Sequence, residues 1–345
     1  MGHEGRLKVL CLGTIEHAFA AWSEVEEIAE VLVPTSTDRS GFIRECRTGI
    51  FEGVHTIYRT FDSFAATGRV DAELIAVLPR SLKFICHNGA GYDQIDISAC
   101  TSREPSPILV SNTPTAVDDS TADISMFLLL GALRNLPVSM GTLRAGQWRG
   151  NPLPRLGHDP QGKVLGILGM GGIGRNMARK ALAFGMKIRY FNRTRLSPEL
   201  ESSCEATFVD FETLLKESDV LSLNLPLNGQ TRHIISAPQL EMMKPGIVIV
   251  NTARGAVMDE AALVAALDSG HVASAGLDVY EDEPRVHPGL IANPRVLIVP
   301  HMGTWTVETC TKMETWTISN VVLSLREGRL RSIVPEQKSL VIDTD

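Results

Sequence analysis

The segment Gly169-Met170-Gly171-Gly172-Ile173-Gly174 has the glycine spacing of a dinucleotide-binding turn. It directly follows the apolar run Val164–Leu168 and opens a helix-sized segment, which is the context that the GxGxxG pattern requires. Gly171 allows a diphosphate to approach the backbone, Gly174 permits close packing of the helix, and the helix N-terminus supplies N–H donors. The pattern predicts that all six residues contribute to dinucleotide binding.

The next strand ends in Asn192-Arg193-Thr194-Arg195, about 18 residues after the last glycine of the motif. NAD-preferring folds usually carry Asp or Glu there to bind the ribose, whereas a guanidinium group pairs with the 2′-phosphate of NADP. These four residues therefore predict NADP(H) as the preferred cofactor. In the alternative interpretation, Arg193 and Arg195 are solvated loop charges and NAD(H) is accepted as well.

Three further segments place charged groups at the ends of predicted strands, where an open α/β sheet forms its binding crevice. They are Asn251–Gly255 with Arg254, Gly276–Pro284 with Glu283, and Val299–Thr304 with His301. A planar guanidinium grips a carboxylate through two parallel hydrogen bonds, and an imidazole titrates near neutrality. Each residue alone is more simply a salt bridge or a cap, but three in succession favour an active site.

These residues require a framework of alternating strands and helices. The predicted strands in the middle of the chain are Val164–Leu168, Lys187–Phe191, Val220–Leu223, Ile247–Asn251, Ala273–Leu277 and Val296–Val299. Those upstream are Lys8–Leu12, Glu30–Val33, His55–Tyr58, Leu82–Cys86 and Ile108–Val110. Helix-sized segments separate them, so the sequence predicts an α/β protein with doubly wound parallel sheets.

The chain has 345 residues, which at roughly 150 residues per domain predicts two domains. Its 33 basic and 40 acidic residues leave a formal charge of −7, which disfavours nucleic acid and membrane surfaces as partners. The six cysteines are too scattered for a metal site, and no signal peptide or membrane span is visible. We therefore expect a cytoplasmic protein that holds no metal and binds anions through locally placed groups.

One long segment, Ala116–Leu136, contains the run Met126–Leu130, which is too apolar for a surface helix. We expect this helix to be buried between domains or between subunits. In the alternative interpretation it is an ordinary core helix of one domain.

The order and spacing of these motifs resemble the D-2-hydroxyacid dehydrogenase family. The resemblance runs from Cys86–Asp93 through the glycine motif and the three strand-end segments to Pro300–Gly303. It implies two Rossmann-like or flavodoxin-like domains with a cleft between them. Residues 1–113 plus 302–345 would form the substrate-binding domain, and residues 114–301 the NAD(P)-binding domain. The implied activity is the NADPH-preferring reduction of a 2-oxo acid to a D-2-hydroxy acid by a homodimer.

The resemblance also implies roles for individual residues. Arg254 would orient the substrate carboxylate and polarise the carbonyl group, while His301 would be the acid/base and Glu283 its partner. A carboxylate beside an imidazole favours the protonated ring, which keeps a proton available for reduction. The turn formed by Asn88, Gly89, Ala90 and Gly91 would offer backbone N–H groups to the substrate carboxylate, or it is merely a tight turn.

The remaining implied contacts lie close to the ends of predicted strands. The further cofactor-binding residues are Leu225, Pro226, Thr252, Ala253, Asp278, His301 and Gly303. Trp305 departs from the family pattern, in which a small residue is common, and either lines the substrate pocket or packs at the domain hinge. The family includes reductases of glyoxylate, hydroxypyruvate, phenylglyoxylate and branched 2-oxo acids, and nothing local chooses among them. A different class also stays open, because the family resembles corepressors that use the fold as a cofactor-dependent binding module.

Overall fold

A computed structural model describes residues 6–341 of the chain. The chain folds into two compact units. Unit 1 comprises the residues up to Val117 together with those from Thr306 onward, and unit 2 comprises Asp118–Trp305. The sequence-based boundaries, 113/114 and 301/302, lie a few residues earlier in the chain.

Strands and helices alternate along most of the chain. The strands are β1 Leu7–Leu12, β2 Ala29–Leu32, β3 Val54–Thr60, β4 Phe84–Asn88, β5 Leu109–Ser111, β6 Val164–Leu168, β7 Lys187–Phe191, β8 Ala206–Phe208, β9 Val220–Leu223, β10 Ile247–Asn251, β11 Val272–Leu277 and β12 Val296–Ile298. The α-helices are α1 Phe19–Ile28, α2 Arg39–Thr48, α3 Phe64–Thr67, α4 Ala72–Val77, α5 Ile97–Thr101, α6 Asp118–Leu133, α7 Leu136–Arg144, α8 Gly172–Ala183, α9 Pro198–Ser203, α10 Phe211–Glu217, α11 Ala237–Met242, α12 Glu260–Ser269, α13 Pro288–Ala292 and α14 Val307–Glu327. Two 3₁₀-helices span Gly255–Val257 and Pro335–Val341.

Unit 1 contains a five-stranded parallel sheet in the order β2-β1-β3-β4-β5, which is the flavodoxin-like order. Successive residues of β1 point to opposite faces, so Leu10 belongs to one apolar cluster and Val9 to the other. Ile318 and Val321 of α14 complete the second cluster. The C-terminal helix therefore packs within the same unit as the first strands.

Unit 2 contains a seven-stranded parallel sheet in the order β12-β11-β10-β9-β6-β7-β8. The order reverses between β6 and β9, and such a switch point forms a crevice at the carboxyl ends of the strands. The predicted α/β class with doubly wound parallel sheets is confirmed. The sequence does not predict β8, because this edge strand at Ala206–Phe208 has three residues and is too short to show a pattern.

The apolar segment forms α6 and then bends by 76° into α7. Leu128 and Leu129 are 0% exposed and belong to an apolar core cluster of unit 2. The run is therefore a core helix of one unit, and the expected location between domains or subunits is wrong for these two residues. Within residues 6–341, no single helix is long and apolar enough to cross a membrane, and only the bent pair α6–α7 meets that length and composition.

Candidate active site

The glycine motif forms the turn between β6 and α8. Gly169 has a φ of +99°, and a Cβ there would lie 2.7 Å from the carbonyl oxygen of Asn224. A Cβ on Gly174 would lie 2.5 Å from the Gly169 carbonyl oxygen, whereas one on Gly171 would meet no described atom within 4 Å. Among residues 6–341, no side chain caps the N-terminus of α8. The turn therefore fits a dinucleotide diphosphate, because it leaves room at Gly171 and offers backbone donors.

Other residues of the motif hold this turn in place through a hydrogen bond and through buried side chains. The Met170 N–H donates to Oδ1 of Asn192 at 2.6 Å, which ties the end of β7 to the turn. The side chain of Met170 is 0% exposed, and Ile173 packs partly buried against the same core cluster. A Cβ on Gly172 would collide with the Asp118 carboxylate. The Met170 side chain is thus structural, and the motif would contact a dinucleotide chiefly through its backbone.

The two arginines predicted to favour NADPH have different surroundings. Nε and Nη2 of Arg195 donate to the two carboxylate oxygens of Glu201 at 2.8 and 2.9 Å. These bonds, together with one from the Tyr190 hydroxyl, lower the pKa of Glu201 to about 2. Arg193 is exposed, and its Nη1 donates a long hydrogen bond of 3.4 Å to Gln230. Thr194, between the two arginines, is exposed. Arg195 is already bound to a carboxylate, so Arg193 is the better placed of the two to bind a phosphate.

Asn251, at the end of β10, organises the turn that carries Arg254. Its side chain is 0% exposed, its Oδ1 accepts from the Ala253 N–H at 3.0 Å, and its Nδ2 donates to the Arg254 carbonyl at 2.9 Å. The Thr252 hydroxyl lies 2.8 Å from Oγ of Ser125, and Arg254 Nη1 donates to the Ala253 carbonyl at 2.8 Å. These bonds hold the backbone of Arg254 in one position.

Gly255 brings the Arg254 turn against the segment that carries Glu283. A Cβ on Gly255 would lie 1.8 Å from the carbonyl carbon of Tyr280 and 2.2 Å from the amide nitrogen of Glu281. Such distances are far inside van der Waals contact, so the two backbones touch and only glycine fits between them. The spacing between Arg254 and Glu283 therefore depends on this contact.

Glu283 and His301 form a hydrogen-bonded pair. Oε2 of Glu283 lies 2.9 Å from Nδ1 of His301, and Oε1 accepts from the Tyr280 N–H at 2.9 Å. Burial by itself raises the pKa of Glu283, but the hydrogen bond and charge of His301, the Tyr280 N–H and the charge of Arg254 together lower it below its ordinary value. An ionised carboxylate only accepts, so Nδ1 carries a proton and Nε2 is the ring nitrogen that faces away from Glu283.

Asp278 fixes the turn that presents His301. The backbone of His301 has a φ of +55°, which residues with a side chain rarely adopt, and its N–H donates to the Asp278 carbonyl at 2.8 Å. The Asp278 carboxylate accepts from the N–H groups of Met302 and Gly303. Burial raises the pKa of Asp278 above its ordinary value despite these hydrogen bonds. Asp278 and Gly303, predicted as cofactor contacts, thus hold the histidine turn together.

The other predicted cofactor residues follow carboxyl ends of strands in the same sheet, where open α/β sheets bind ligands. They are Leu225 and Pro226 after β9, and Thr252 and Ala253 after β10. The Trp305 N–H donates to the Met302 carbonyl at 3.0 Å, and the residue is 67% exposed. Trp305 therefore belongs to the histidine turn and is not a core residue.

The predicted carboxylate-binding turn, Asn88–Gly91, lies in unit 1 at the end of β4. The Gly89 carbonyl accepts from the Thr113 N–H at 3.0 Å, and the Ala90 carbonyl accepts from Nδ2 of Asn112 at 2.8 Å. The N–H and C=O of one trans peptide point in opposite directions, so the N–H groups of Ala90 and Gly91 point away from these partners. The turn has the polarity that a carboxylate requires.

Sequence reasoning missed the residues that hold these groups in place. Asn251 has a signal, because it is a polar residue at the end of the apolar run Ile247–Val250. Tyr280 donates its hydroxyl to the Val299 carbonyl at 2.9 Å and so joins the segments of Glu283 and His301, but its contact partner cannot be deduced from sequence. Gly255 follows a candidate catalytic arginine and is likewise explained only by the contact that it makes.

The sequence profile described as "D-isomer specific 2-hydroxyacid dehydrogenase, NAD binding domain" matches residues 126–303. This range contains the glycine motif, Arg254, Glu283 and His301. The match thus covers the segments whose geometry is described above.

Three known proteins illustrate the likeness over nearly the whole chain. The 4-methyl-2-oxopentanoate reductase A of Aspergillus oryzae is 56% identical over 96% of this chain and 98% of its own. The crystal structure of a glyoxylate reductase from Paecilomyes thermophila has a TM-score of 0.92 and 51% identity, covering 96% of this chain and 99% of that one. The NADPH-dependent glyoxylate/hydroxypyruvate reductase of Sinorhizobium meliloti, solved with NADP and malonate, has a TM-score of 0.83 and 29% identity, covering 96% and 98%. The chain therefore belongs to the D-isomer specific 2-hydroxyacid dehydrogenase family and is an NAD(P)-dependent oxidoreductase that reduces 2-oxo acids.

Proposed function

We propose that this enzyme reduces a 2-oxo acid to the D-2-hydroxy acid with NADPH as the preferred cofactor and His301 as the proton donor. The observation that carries the proposal is the pair of Glu283 and His301, with Nδ1 and Oε2 2.9 Å apart, beside a turn that holds Arg254. One carboxylate, one imidazole and one guanidinium are the groups that reduction of a carbonyl next to a carboxylate requires.

The chain's own residues would divide the work as follows. NADPH, when bound, supplies a hydride to the carbonyl carbon. The imidazolium of His301 gives its Nε2 proton to the carbonyl oxygen, which becomes the hydroxyl group, and Glu283 stabilises the charged ring before this transfer. Arg254 binds the substrate carboxylate and polarises the carbonyl group, as a planar fork of donors can do.

The preference for NADPH is supported by the end of β7. No carboxylate stands at residues 192–195 to repel a 2′-phosphate, and Arg193 is exposed there. The Sinorhizobium meliloti relative was solved with NADP. A charge-assisted bond from Arg193 to the phosphate would favour NADPH by roughly 10- to 100-fold.

We further propose that 4-methyl-2-oxopentanoate is reduced more efficiently than glyoxylate. The proposal rests on the Aspergillus oryzae relative, which is named for that substrate and is 56% identical. The exposed indole of Trp305 in the histidine turn offers an apolar surface to a branched side chain.

The test is a panel of glyoxylate, hydroxypyruvate, phenylglyoxylate and 4-methyl-2-oxopentanoate, with NADPH or NADH oxidation followed by absorbance. We expect the highest kcat/KM with NADPH and 4-methyl-2-oxopentanoate. His301→Asn should lower kcat by roughly 10²- to 10⁴-fold while NADPH binding, measured by fluorescence, persists. No oxidation of either cofactor across the panel would contradict the proposal and favour a cofactor-dependent binding module.

A further inference from the structure

Unit 1 contains a buried cation that the proposed reaction does not use. Arg59 lies on β3, is 0% exposed and is the largest fully buried side chain among the described residues. Burial lowers the pKa of Arg59 to about 10, although the charge of Asp93 acts in the opposite direction, so the guanidinium stays charged at neutral pH. Burying a charge costs free energy unless other groups compensate for it, so such a residue calls for a physical reason.

The hydrogen bonds of Arg59 connect it, through His87, to the turn Asn88–Gly91, which is predicted to bind the substrate carboxylate. In the register of β3 and β4, Arg59 is opposite His87, and its Nη1 lies 3.1 Å from Nδ1 of that ring. Its Nη2 donates to Oε1 of Gln94 at 2.7 Å. His87 is itself 1% exposed, and its Nε2 lies 3.0 Å from the carbonyl oxygen of Gly91.

The positions of the hydrogen atoms in the series Arg59–His87–Gly91 follow from the chemistry of the first and last groups of that series. A guanidinium has only donors, so Nδ1 of His87 must accept and carries no proton. A carbonyl oxygen only accepts, so Nε2 of His87 carries the proton and donates to Gly91. The ring is therefore neutral, since a proton on Nδ1 would remove the bond from Arg59 and place two cations side by side.

We propose that Arg59 and His87 are positioning residues that fix the last peptide group of the turn Asn88–Gly91, the one between Gly91 and Tyr92. With the carbonyls of Gly89 and Ala90 bound to residues 113 and 112, His87 holds the third successive carbonyl of the turn. The N–H groups that share a peptide with these carbonyls, those of Ala90, Gly91 and Tyr92, are therefore directed away from the protein side, whereas the Gly89 N–H donates to the His87 carbonyl. This inference rests on the proposed function together with the expectation from the sequence that N–H groups of this turn bind the substrate carboxylate.

An arginine suits this task better than a carboxylate would. Beside Nδ1, a carboxylate selects the tautomer with the proton on Nδ1, as Glu283 does for His301. Nε2 would then be an acceptor that faces the Gly91 carbonyl, or the ring would be charged. Only a donor at Nδ1 produces a neutral ring that donates at Nε2, and the fork of Arg59 binds Gln94 with its other arm.

The first experiment compares His87→Leu, which removes the donor to Gly91, with His87→Gln, whose side-chain amide can still donate to it. We expect His87→Leu to raise KM for the 2-oxo acid about tenfold, with KM for NADPH within twofold of the wild type, and His87→Gln to recover most of the loss. His55→Leu is the control, because it removes a half-buried imidazole from β3 that does not contact the turn. A merely structural role would lower thermal stability but leave KM of the folded enzyme unchanged, and that result would overturn the inference.

A second measurement needs no variant to fold. The ¹⁵N chemical shifts of His87 in the labelled wild-type enzyme, near neutral pH, should show a protonated Nε2 and an unprotonated Nδ1. A protonated Nδ1 would overturn the arrangement. If the wild type reduces no 2-oxo acid, the proposed function fails, while the NMR result still decides whether Arg59 sets the tautomer.

Discussion

The chain holds two imidazoles in opposite ways. His301 has a carboxylate at Nδ1, 2.9 Å away, which keeps a proton on that nitrogen and suits the proposed proton donor. His87 has a guanidinium at Nδ1, 3.1 Å away, which keeps the ring neutral and suits a residue that holds a carbonyl in place. The charge of the group beside Nδ1 therefore decides which ring nitrogen of each histidine carries the proton, and so which role the imidazole can take.

Glu283→Gln tests the contribution of the carboxylate to stability. The pKa of Glu283 is lowered in the folded enzyme, so its ionised form stabilises the fold relative to the unfolded chain. This stabilisation is fully present above about pH 4.3, the ordinary pKa of Glu, and is lost as the pH falls through the lower folded-state pKa. We expect the wild type to exceed the variant in free energy of unfolding at neutral pH, and the difference to shrink below about pH 4 in urea titrations.

The same variant also tests the coupling to His301. Without the carboxylate, the hydrogen bond at Nδ1 of His301 loses its charged acceptor, so reduction at neutral pH should fall roughly 10- to 100-fold. Asp282→Asn, at an exposed neighbouring carboxylate that pairs with Arg285, is the control and should not change this rate. An unchanged rate of reduction in Glu283→Gln would show that the pair does not contribute to proton transfer.

Arg193 and Arg195 allow a matched comparison of two cations that are two residues apart. Arg193→Asp should raise KM for NADPH roughly 10- to 100-fold with little effect on KM for NADH, because it replaces a phosphate partner with a repelling charge. Arg195→Asp should have the smaller effect, since the Arg195 fork is already bound to Glu201. Steady-state kinetics with both cofactors measure the difference. Equal effects on NADPH and NADH in Arg193→Asp would contradict the assignment.

Among the structural elements, the contact between the 3₁₀-helix Gly255–Val257 and the segment after β11 sets the spacing of the candidate catalytic groups. Gly255→Ala would place a methyl group 1.8 Å from the Tyr280 carbonyl carbon, so one backbone must move. We expect a loss of about 1–3 kcal/mol in the free energy of unfolding, measured in urea, and a fall in kcat/KM of the folded variant.

Gly141→Ala is the control for this substitution. Gly141 lies in α7, where an added Cβ would meet no described atom within 4 Å, and alanine is favoured over glycine inside helices. We expect that variant to keep full activity and to be equally or slightly more stable. If Gly255→Ala behaved in the same way, the close contact would not control the site.

The elements show how far sequence alone reaches. The strands β6, β7, β9 and β10 have the predicted bounds, because β6, β9 and β10 are short, largely apolar runs and β7 alternates polar and apolar residues up to Tyr190. The glycine motif marks its own turn. The hydrogen-bond partners could not be predicted, since they depend on which distant segments meet. Arg195 illustrates this, because its partner Glu201 follows in the chain without any pattern that distinguishes it from other acidic residues. Arg59 gives no signal either, because burial of a cation is a property of the fold.

At the level of the whole molecule, the exposed apolar surface supports the proposal of a homodimer. α7 has no buried residue, and Leu136, Met140 and Leu143, which share one face at helical spacing, are 41%, 41% and 56% exposed. The following segment adds Trp148, Leu153 and Leu156, which are 72%, 70% and 94% exposed. Such a concentration of large apolar side chains in one stretch is typical of an interaction surface.

We therefore expect light scattering after gel filtration to give twice the mass of one chain. The double variant Met140→Glu/Leu143→Glu should shift the protein to the monomer, because a dimer would bury two charges on each chain without partners. Ile291→Glu is the control, since Ile291 is 60% exposed on α13 and lies outside this stretch, and it should leave the mass unchanged. A wild-type monomer at high protein concentration would exclude the dimer. A double variant that stays dimeric would place the subunit contact outside α7. The helix α6 could then form that contact only through exposed residues such as Phe127, because Leu128 and Leu129 are buried within one chain.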